Sequence, residues 1–289
     1  MLISKRTFIK SMGALIGGLF LFGCRKQGER NAKAVRQTSV REIKKEIQMA
    51  MKNQKPLGRL ELVPVPSRLG AYPNESNRFG MAIDLDLCDG CGECILACNL
   101  ENNIPLVNDY QASKNNYMHW IEMRGNVPVF CSHCGDAPCE KVCPTVAAVH
   151  SPEGLSAMIY ARCVGTRFCG ANCPTKVRKF NYTDALEEGL QYISNKDVPI
   201  RERGVMEKCS LCLHRLQAAR WEAKTAGIPW RGEGVKTACA EACPKGAIIF
   251  GNWLDKESIL YREAQVRGVY AFSSLALFDP AVVYFRGKR

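Results

Sequence analysis

Apolar positions along most of this chain recur in short, interrupted stretches. Ser11 to Gly23 is the exception, an uncharged and mostly apolar run of 13 residues preceded by Lys5, Arg6 and Lys10. At about 1.5 Å per helical residue it falls well short of a hydrocarbon core of roughly 30 Å, so residues 1–23 read as a cleaved export signal. No apolar run in the chain reaches the roughly 18 residues of a membrane span. Val35 to Asn53 is charge-rich and carries Ile43, Ile47 and Ala50 at helical spacing, which predicts one amphipathic helix. Pro56, Pro64, Pro66 and Pro73 then keep the chain extended. Residues 25–77 as a whole read as a solvated spacer and extended arm.

Phe79 to Leu85 alternates apolar and polar positions and predicts a strand. Gly154 to Tyr160 repeats that pattern, and Ala247 to Phe250 predicts a further short strand. Cys212 to Ala226 predicts the longest helix, with Leu213, Leu216 and Ala219 on one side. The mixture is α+β. The tail from Gly251 to Arg289 is polar and broken by Pro280, and its Trp253, Tyr261, Tyr270, Phe272, Phe278, Tyr284 and Phe285 predict a segment that wraps a partner or this domain.

The chain has 289 residues, 46% apolar and 24% charged, the balance of a soluble globular protein. That excludes intrinsic disorder and a collagen-like repeat. The 16 cysteines are the unusual term. Apart from Cys24 they fall into four groups: Cys88, Cys91, Cys94 and Cys98; Cys131, Cys134, Cys139 and Cys143; Cys163, Cys169 and Cys173; Cys209, Cys212, Cys239 and Cys243. Pro144, Pro174 and Pro244 follow the last cysteine of groups two, three and four, whereas Asn99 takes that place in group one.

Three chemistries use cysteines at this density. Disulfides suit an exported protein, but an odd number of cysteines, many of them two residues apart, pair poorly with one another. Zinc sites use cysteine pairs but need neither the third and fourth cysteines nor the proline. The run Cys88-x2-Cys91-x2-Cys94-x3-Cys98 is that of a bacterial ferredoxin, lacking only its proline. In such a run three thiolates bind one [4Fe–4S] cubane and the fourth reaches to another. Short loops curl around each cluster, and Gly90, Gly92, Gly135, Gly165 and Gly170 suit them.

The exchange of fourth cysteines pairs the groups. In a nested arrangement Cys88, Cys91 and Cys94 take Cys243, while Cys209, Cys212 and Cys239 take Cys98. Cys131, Cys134 and Cys139 take Cys173, while Cys163 and Cys169 take Cys143. The spacing leaves nested and sequential pairing both open. Group three has Thr166 where its second cysteine is expected. A hydroxyl is a poor iron ligand beside thiolates, so a [3Fe–4S] cluster is expected there. The alternative is a [4Fe–4S] cluster with water or Thr166 at the fourth iron.

The formal charge is +12, and removal of residues 1–23 deletes three basic groups to leave +9. Four oxidised clusters contribute roughly −8 by ion counting. The loaded chain is then near neutral, which removes the electrostatic case for nucleic acid. Arg162, Arg167, Lys176, Arg178 and Lys179, close to group three, are candidates to solvate anionic clusters. There is no Rossmann glycine fingerprint, P-loop or H-E-x-x-H. His119, His133, His150 and His214 belong to no nucleophile–base–acid set, and His133, between Cys131 and Cys134, reads as a partly exposed polar residue. Clusters without a substrate site read as an electron wire, a non-catalytic subunit of an oxidoreductase.

Ser4-Lys5-Arg6-Thr7-Phe8-Ile9-Lys10 resembles the twin-arginine export motif with Lys5 in place of the first arginine, a route that exports proteins folded around a cofactor. Leu21-Phe22-Gly23-Cys24 resembles a lipoprotein cleavage box, which makes Cys24 a lipid-carrying anchor on the periplasmic face of the inner membrane.

Further runs accompany the cysteines: Arg78-Phe79-Gly80-Met81, Glu101-Asn102-Asn103-Ile104-Pro105, Met118-His119-Trp120, Arg162-Cys163-Val164-Gly165-Thr166-Arg167, Arg203-Gly204-Val205-Met206-Glu207-Lys208-Cys209 and Val235-Lys236-Thr237-Ala238-Cys239. With them, residues 78–289 resemble the four-cluster iron–sulfur subunit of the complex iron–sulfur molybdoenzyme family. Within it, the likeness is to the iron–sulfur subunit of alternative complex III and of the periplasmic quinone reductase complex. Asn99 and the tail depart from that family.

The resemblance implies three [4Fe–4S] clusters and one [3Fe–4S] cluster, the nested pairing, and the three-iron cluster nearest the membrane subunit. It implies two bacterial ferredoxin-like dicluster modules within 78–250, one formed by 78–126 with 181–250 and enclosing the other, 127–180. Residues 24–77 then form a lipidated tether and arm, and 251–289 a partner-wrapping tail. The implied partners are a molybdopterin-family or cofactor-free homologous large subunit, an integral membrane quinone-binding subunit and a multihaem cytochrome c. The implied function is electron transfer between that membrane subunit and a periplasmic partner. The alternative is service to a molybdopterin terminal reductase for polysulfide, tetrathionate or a similar anion.

Overall fold

The computed structural model describes residues 40–53, 61–65 and 77–287. The expected export signal, the twin-arginine motif, Cys24 and positions 35–39 of the expected helix lie outside the described residues. In chain order the elements are α1 (Val40–Asn53), β1 (Leu62–Pro64), β2 (Phe79–Asp84), α2 (Glu93–Glu101), α3 (Asp109–Ser113), β3 (Glu122–Arg124), β4 (Val127–Val129), α4 (Pro138–Lys141), β5 (Ala148–His150) and β6 (Ser156–Met158). They continue with α5 (Phe168–Ala171), β7 (Lys179–Phe180), β8 (Met206–Glu207), α6 (Leu213–Thr225), α7 (Ala238–Glu241), β9 (Ile248–Asn252), α8 (Ile259–Val266), β10 (Gly268–Phe272) and β11 (Val282–Arg286).

A five-stranded sheet runs in the order β1-β10-β11-β2-β9, with β11 and β2 parallel and the other neighbours antiparallel. The strand expected over Phe79–Leu85 is present as β2, and all six of its residues are buried, because it lies between β11 and β9 and is covered on both sides. Phe79, Met81 and Ile83 join the core that holds the cysteines, while Ala82 joins a second layer with Ile249, Val269, Val283, Phe285 and, from α8, Leu260 and Ala264. Each large side chain so buried contributes roughly 1.5–3 kcal/mol. At Gly80 an added Cβ would lie 2.1 Å from Trp253 Nε1 and 2.2 Å from the Ala281 carbonyl. The Trp253 indole donates to that carbonyl at 2.9 Å, so the approach of the two segments requires glycine.

Of the two expectations for the tail, packing on this domain is the one its described residues meet: they complete this chain's own sheet through β10 and β11, with Trp253, Phe272, Tyr284 and Phe285 buried. The arm is not wholly a solvated spacer. Ile43, Ile47 and Ala50 bury one side of α1 against α2 and β3, and β1 adds an edge strand to β10. With 14 residues α1 also exceeds α6, the expected longest helix, at 13.

Three two-stranded ribbons complete the fold: β3-β4, β5-β6 and β7-β8. β9 leaves group four and pairs with β2, which leads into group one. β5 leaves group two and pairs with β6, which leads into group three. Correspondingly α2 packs on α7, and α4 on α5. Among the described residues no helix is long and apolar enough to cross a membrane.

β2 ends at Asp84, which accepts from Arg267 Nη1 at 2.5 Å and Nη2 at 3.0 Å, with both side chains almost wholly buried. Burial pushes this carboxyl up. The hydrogen bonds and charge of Arg267, with backbone N–H groups, outweigh it and hold the pKa below the ordinary value. The pair therefore adds stability above the ordinary carboxylate range and loses it as pH falls through the lowered folded-state value. Arg267→Ala leaves a buried carboxylate without its partner and is expected to cost about 3–5 kcal/mol. A calorimetric midpoint unchanged at neutral pH in cluster-loaded protein would refute this.

Candidate metal centres

The cysteines are set in a repeated local frame. Cys139, Cys169 and Cys239 lie on four-residue helices α4, α5 and α7. The Cys-Pro pair that follows each helix prevents its continuation. Three residues beyond Cys143, Cys173 and Cys243 the backbone turns through positive φ, at Val146 (51°), Lys176 (55°) and Gly246 (60°). After that turn the Ala147 and Ala247 N–H groups donate back to Cys143 Sγ at 3.2 Å and Cys243 Sγ at 3.3 Å. Group one has Asn99 in place of proline, so α2 runs on to Glu101 and carries Cys94 and Cys98 one turn apart on its buried side.

The loops between cysteines curl by the same device. Positive φ occurs at Gly90 and Gly92, at His133, at Gly165 and Arg167, and at Leu211 and Cys212. An added Cβ at Gly165 would meet the Gly204 carbonyl at 2.2 Å. Gly135 and Gly170, expected to serve the same purpose, are not among the positive-φ positions. Further backbone N–H groups point at sulfur: Met206 to Cys163 at 3.4 Å, Leu211 to Cys209 at 3.4 Å and Ala238 to Cys212 at 3.5 Å.

Of the fifteen cysteines in the four groups, nine are buried, five half-buried and one, Cys91, exposed, and none forms a disulfide. Burial is the largest influence on Cys94, Cys98, Cys134, Cys139, Cys169, Cys209, Cys212 and Cys239 and pushes these thiols up, Cys212 to about 12. Neighbouring sulfurs add to it. Cys88 is affected by Cys243 and Cys91, and Cys94 by Cys239, Cys88, Cys91 and Cys243. Cys98 is affected by Cys209, Cys239 and Cys212. Cys134 is affected by Cys131, Cys139 and Cys173, and Cys169 by Cys163 and Cys143. Sulfurs of groups one and four thus act on one another, as do those of groups two and three, and Cys131 of group two acts on Cys209 of group four as well.

No three or more His, Cys, Asp or Glu among the described residues stand close enough to hold a single ion. Thiolates bound to separate irons of a cluster stand further apart than ligands of one ion. Soft, crowded, dry sulfur with backbone N–H groups aimed at it fits iron–sulfur clusters.

Arg178, expected among the solvating cations of group three, is buried and donates to Cys139 Sγ at 2.9 Å and Met158 Sδ at 3.1 Å. Its charge lowers both Cys139 and Cys169 against their burial, so it serves groups two and three. Arg162, Arg167 and Lys176 are exposed, and Lys179 pairs with Glu122. Cysteine spacing does not single out Lys208, yet it is buried with its ammonium donating to the Ser156 and Cys209 carbonyls. Its sequence signs are adjacency to Cys209 and its place in the Arg203–Cys209 run. His133 is wholly buried, contrary to expectation, because its loop packs on the Lys208–Cys209 segment; burial, then Lys208, holds the imidazole neutral. Thr166 is exposed in the group-three loop.

Comparison with known proteins agrees with this chemistry. Residues 75–147 match the family model of a 4Fe-4S dicluster domain. The chain is 37% identical over 227 residues to the menaquinone reductase iron–sulfur cluster-binding subunit of Nitratidesulfovibrio vulgaris, covering 72% of this chain and 88% of that one. It is 31% identical over 237 residues to the Hdr-like menaquinol oxidoreductase iron–sulfur subunit 1 of Archaeoglobus fulgidus, covering 73% and 84%. A tetrathionate reductase subunit of Salmonella typhimurium is 29% identical over 209 residues, covering 70% and 68%. The donor set and these likenesses together show that the chain belongs to the family of iron–sulfur electron-transfer subunits of complex iron–sulfur molybdoenzymes and their quinone-oxidoreductase relatives.

Proposed function

We propose that this chain carries electrons between a quinone-binding membrane subunit and a periplasmic partner in a membrane-associated quinone oxidoreductase complex. The observation that carries the reading is the proximity of each fourth cysteine to the first cysteines of another group. It supports three [4Fe–4S] sites: Cys88, Cys91, Cys94 and Cys243; Cys209, Cys212, Cys239 and Cys98; Cys131, Cys134, Cys139 and Cys173. Cys163, Cys169 and Cys143 form the [3Fe–4S] site, and the two dicluster modules are nested. Clusters so held supply one-electron carriers whose potentials follow charge, hydrogen bonding and exposure.

The protein's own part is to hold, dry and bias them. Backbone N–H groups and the buried Arg178 and Lys208 offset negative charge on sulfur. The apolar core excludes water from the inner cysteines. The shallower cysteines fall into two sets, Cys88, Cys91 and Cys243 of groups one and four and Cys143, Cys163 and Cys173 of groups two and three. Those sets are where electrons enter and leave. Around the second, Val146, Ile159, Val164 and Phe168 are exposed. Beside it a cleft of 550 Å³ gathers Arg124, Arg167, Lys176, Arg178 and Lys179 with one carboxylate, Glu122. An apolar face with a cationic flank suits the membrane subunit. Cys24, lipidated after twin-arginine export, tethers the chain to the periplasmic face of the inner membrane. The likeness to the tetrathionate reductase subunit supports a second reading, service to a molybdopterin terminal reductase.

Purification from native membranes separates the two. A quinone-binding membrane protein with a cofactor-free large subunit and multihaem cytochrome c is the expected company. A large subunit with a complete molybdopterin site selects the second reading, and anaerobically prepared chain without acid-labile sulfide overturns both. Low-temperature EPR of the oxidised protein is expected to show a three-iron signal, which Thr166→Cys converts toward a four-iron centre; fully loaded wild type without that signal refutes the three-iron assignment. Cys24→Ala is expected to abolish incorporation of labelled fatty acid, and labelling that persists in this variant counts against the anchor.

A further inference from the structure

We propose that Glu46 and His119 form a buried proton-accepting pair beside the cluster held in part by Cys98, and that the pair takes up one proton when that cluster gains one electron. The inference rests on the ligand reading above, in which Cys98 completes the set of Cys209, Cys212 and Cys239.

Asn99 marks the place. Where a ferredoxin run has proline, its side-chain Nδ2 donates to His119 Nδ1 at 2.8 Å. With Nδ1 accepting, the imidazole proton sits on Nε2, and Nε2 faces Glu46 Oε1 at 3.6 Å. The His119 side chain is 4% exposed and that of Glu46 11%. Neither facing atom has a hydrogen-bond partner, and the same holds for Asn99 Oδ1 and the Tyr117 and Tyr192 hydroxyls. Tyr117 stacks on His119 with ring centroids 5.8 Å apart. Tyr192, pushed up first by burial, is affected by both Glu46 and Cys98, so it is near each of them. A purely structural buried network satisfies its members; this group of residues keeps five buried polar atoms unsatisfied. The other Glu46 oxygen accepts from the Val107 N–H at 3.0 Å, which orients the carboxyl.

Burial pushes Glu46 up to about 7, against the Val107 N–H, and burial with Lys179 lowers His119 to about 3. Near neutrality the imidazole is uncharged and the carboxyl is poised between its two forms. On α1, Glu42, Lys44 and Lys45 share the helix with Glu46. From α2, Glu93 pairs with Lys44 at 3.0 Å, and Cys94 and Cys98 are buried. From β3 and β7, Glu122 pairs with Arg124 and Lys179. Tyr117 and Tyr192 complete the surroundings. Glu93 and Glu122 already have cationic partners, so an electron arriving near Cys98 is the charge that Glu46 is placed to answer. The electron comes from the chain's redox partner and the proton from solvent hydronium. One O–H bond breaks in the hydronium and one forms as carboxylate becomes acid, and the added charge is cancelled.

The test is an EPR-monitored redox titration of the intact complex at pH values on both sides of neutrality. One centre is expected to lose potential as pH rises, with a limit of tenfold in its reduction equilibrium per pH unit, about 59 mV for a one-electron couple. The other centres stay level. Glu46→Gln keeps the shape and the Val107 bond and is expected to flatten that slope at unchanged iron and sulfide content. It is also expected to remove a protonated-carboxyl band from the reduced-minus-oxidised infrared spectrum. Potentials that do not vary with pH at any centre of fully loaded wild type overturn the proposal, whatever the variant does, and so does an undiminished slope in Glu46→Gln. If Cys98→Ser leaves every centre's spectrum unchanged, the ligand reading itself fails, and this inference with it.

Discussion

A sulfur taken out of water resists giving up its proton, and every thiolate nearby makes it resist more. Nine of the fifteen cysteines in this body are buried, most of them within reach of several others. Cations among them reverse both effects, since a coordinating thiol is deprotonated outright. The rest of the structure answers the same demand by weaker means. Backbone N–H groups point at Cys143, Cys163, Cys209, Cys212 and Cys243, the Arg178 guanidinium lies on Cys139, and the Lys208 ammonium sits one residue from Cys209. None of these is worth much alone, because a hydrogen bond to a charged group contributes only about 1.5–3 kcal/mol. Their convergence on sulfur is what makes thiolate tolerable in so dry a place.

The same demand sets the lengths of the helices. α4, α5 and α7 have four residues each because the chain must turn back toward the sulfur it has just placed, and Pro144, Pro174 and Pro244 stop the helix there. The turn needs positive φ, which glycine accepts at Gly246 but which is costly for the β-branched Val146. Such a residue persists only where its surroundings over-determine it, and the Ala147 N–H on Cys143 is one of the constraints that do so. Group one escapes the turn. With Asn99 in place of proline, α2 continues, and a polar side chain is carried inward to His119.

The features legible in the sequence are those written in local spacing. The four cysteine groups, the strand into group one, the strand after group four and the helix after Cys212 all follow from neighbours a few residues apart. The features left open or misread depend on segments far apart in the chain. β11 pairs in parallel with β2 across some two hundred residues, and no local pattern announces that Tyr284 and Phe285 will be covered by the body rather than by a partner. Ile43 and Ile47 display a helical stripe, but a stripe does not say what covers it. His133 reads as partly exposed because histidine is polar. Its burial is decided by the Lys208–Cys209 segment, which the groups' own spacing does not bring to mind.

Conduction and stability share one set of residues. The main core interleaves sulfur with apolar side chains, so that Cys94 and Cys98 alternate with Ile95 on α2, and Phe130 precedes Cys131. What dries the thiolates is also what holds the fold, and disturbing either disturbs both. The second layer is built differently. Ala82, Ile249, Trp253, Leu260, Ala264, Val269, Ala281, Val283 and Phe285 form it without a cysteine. It lies on the far side of the five-stranded sheet and is closed by the Asp84–Arg267 pair. Because β2 and β9 belong to both layers, this sulfur-free packing fixes the approach of groups one and four by means that do not depend on the charge carried between them. A wire whose charge changes at every turnover needs such a support, since its geometry must stay the same in both redox states.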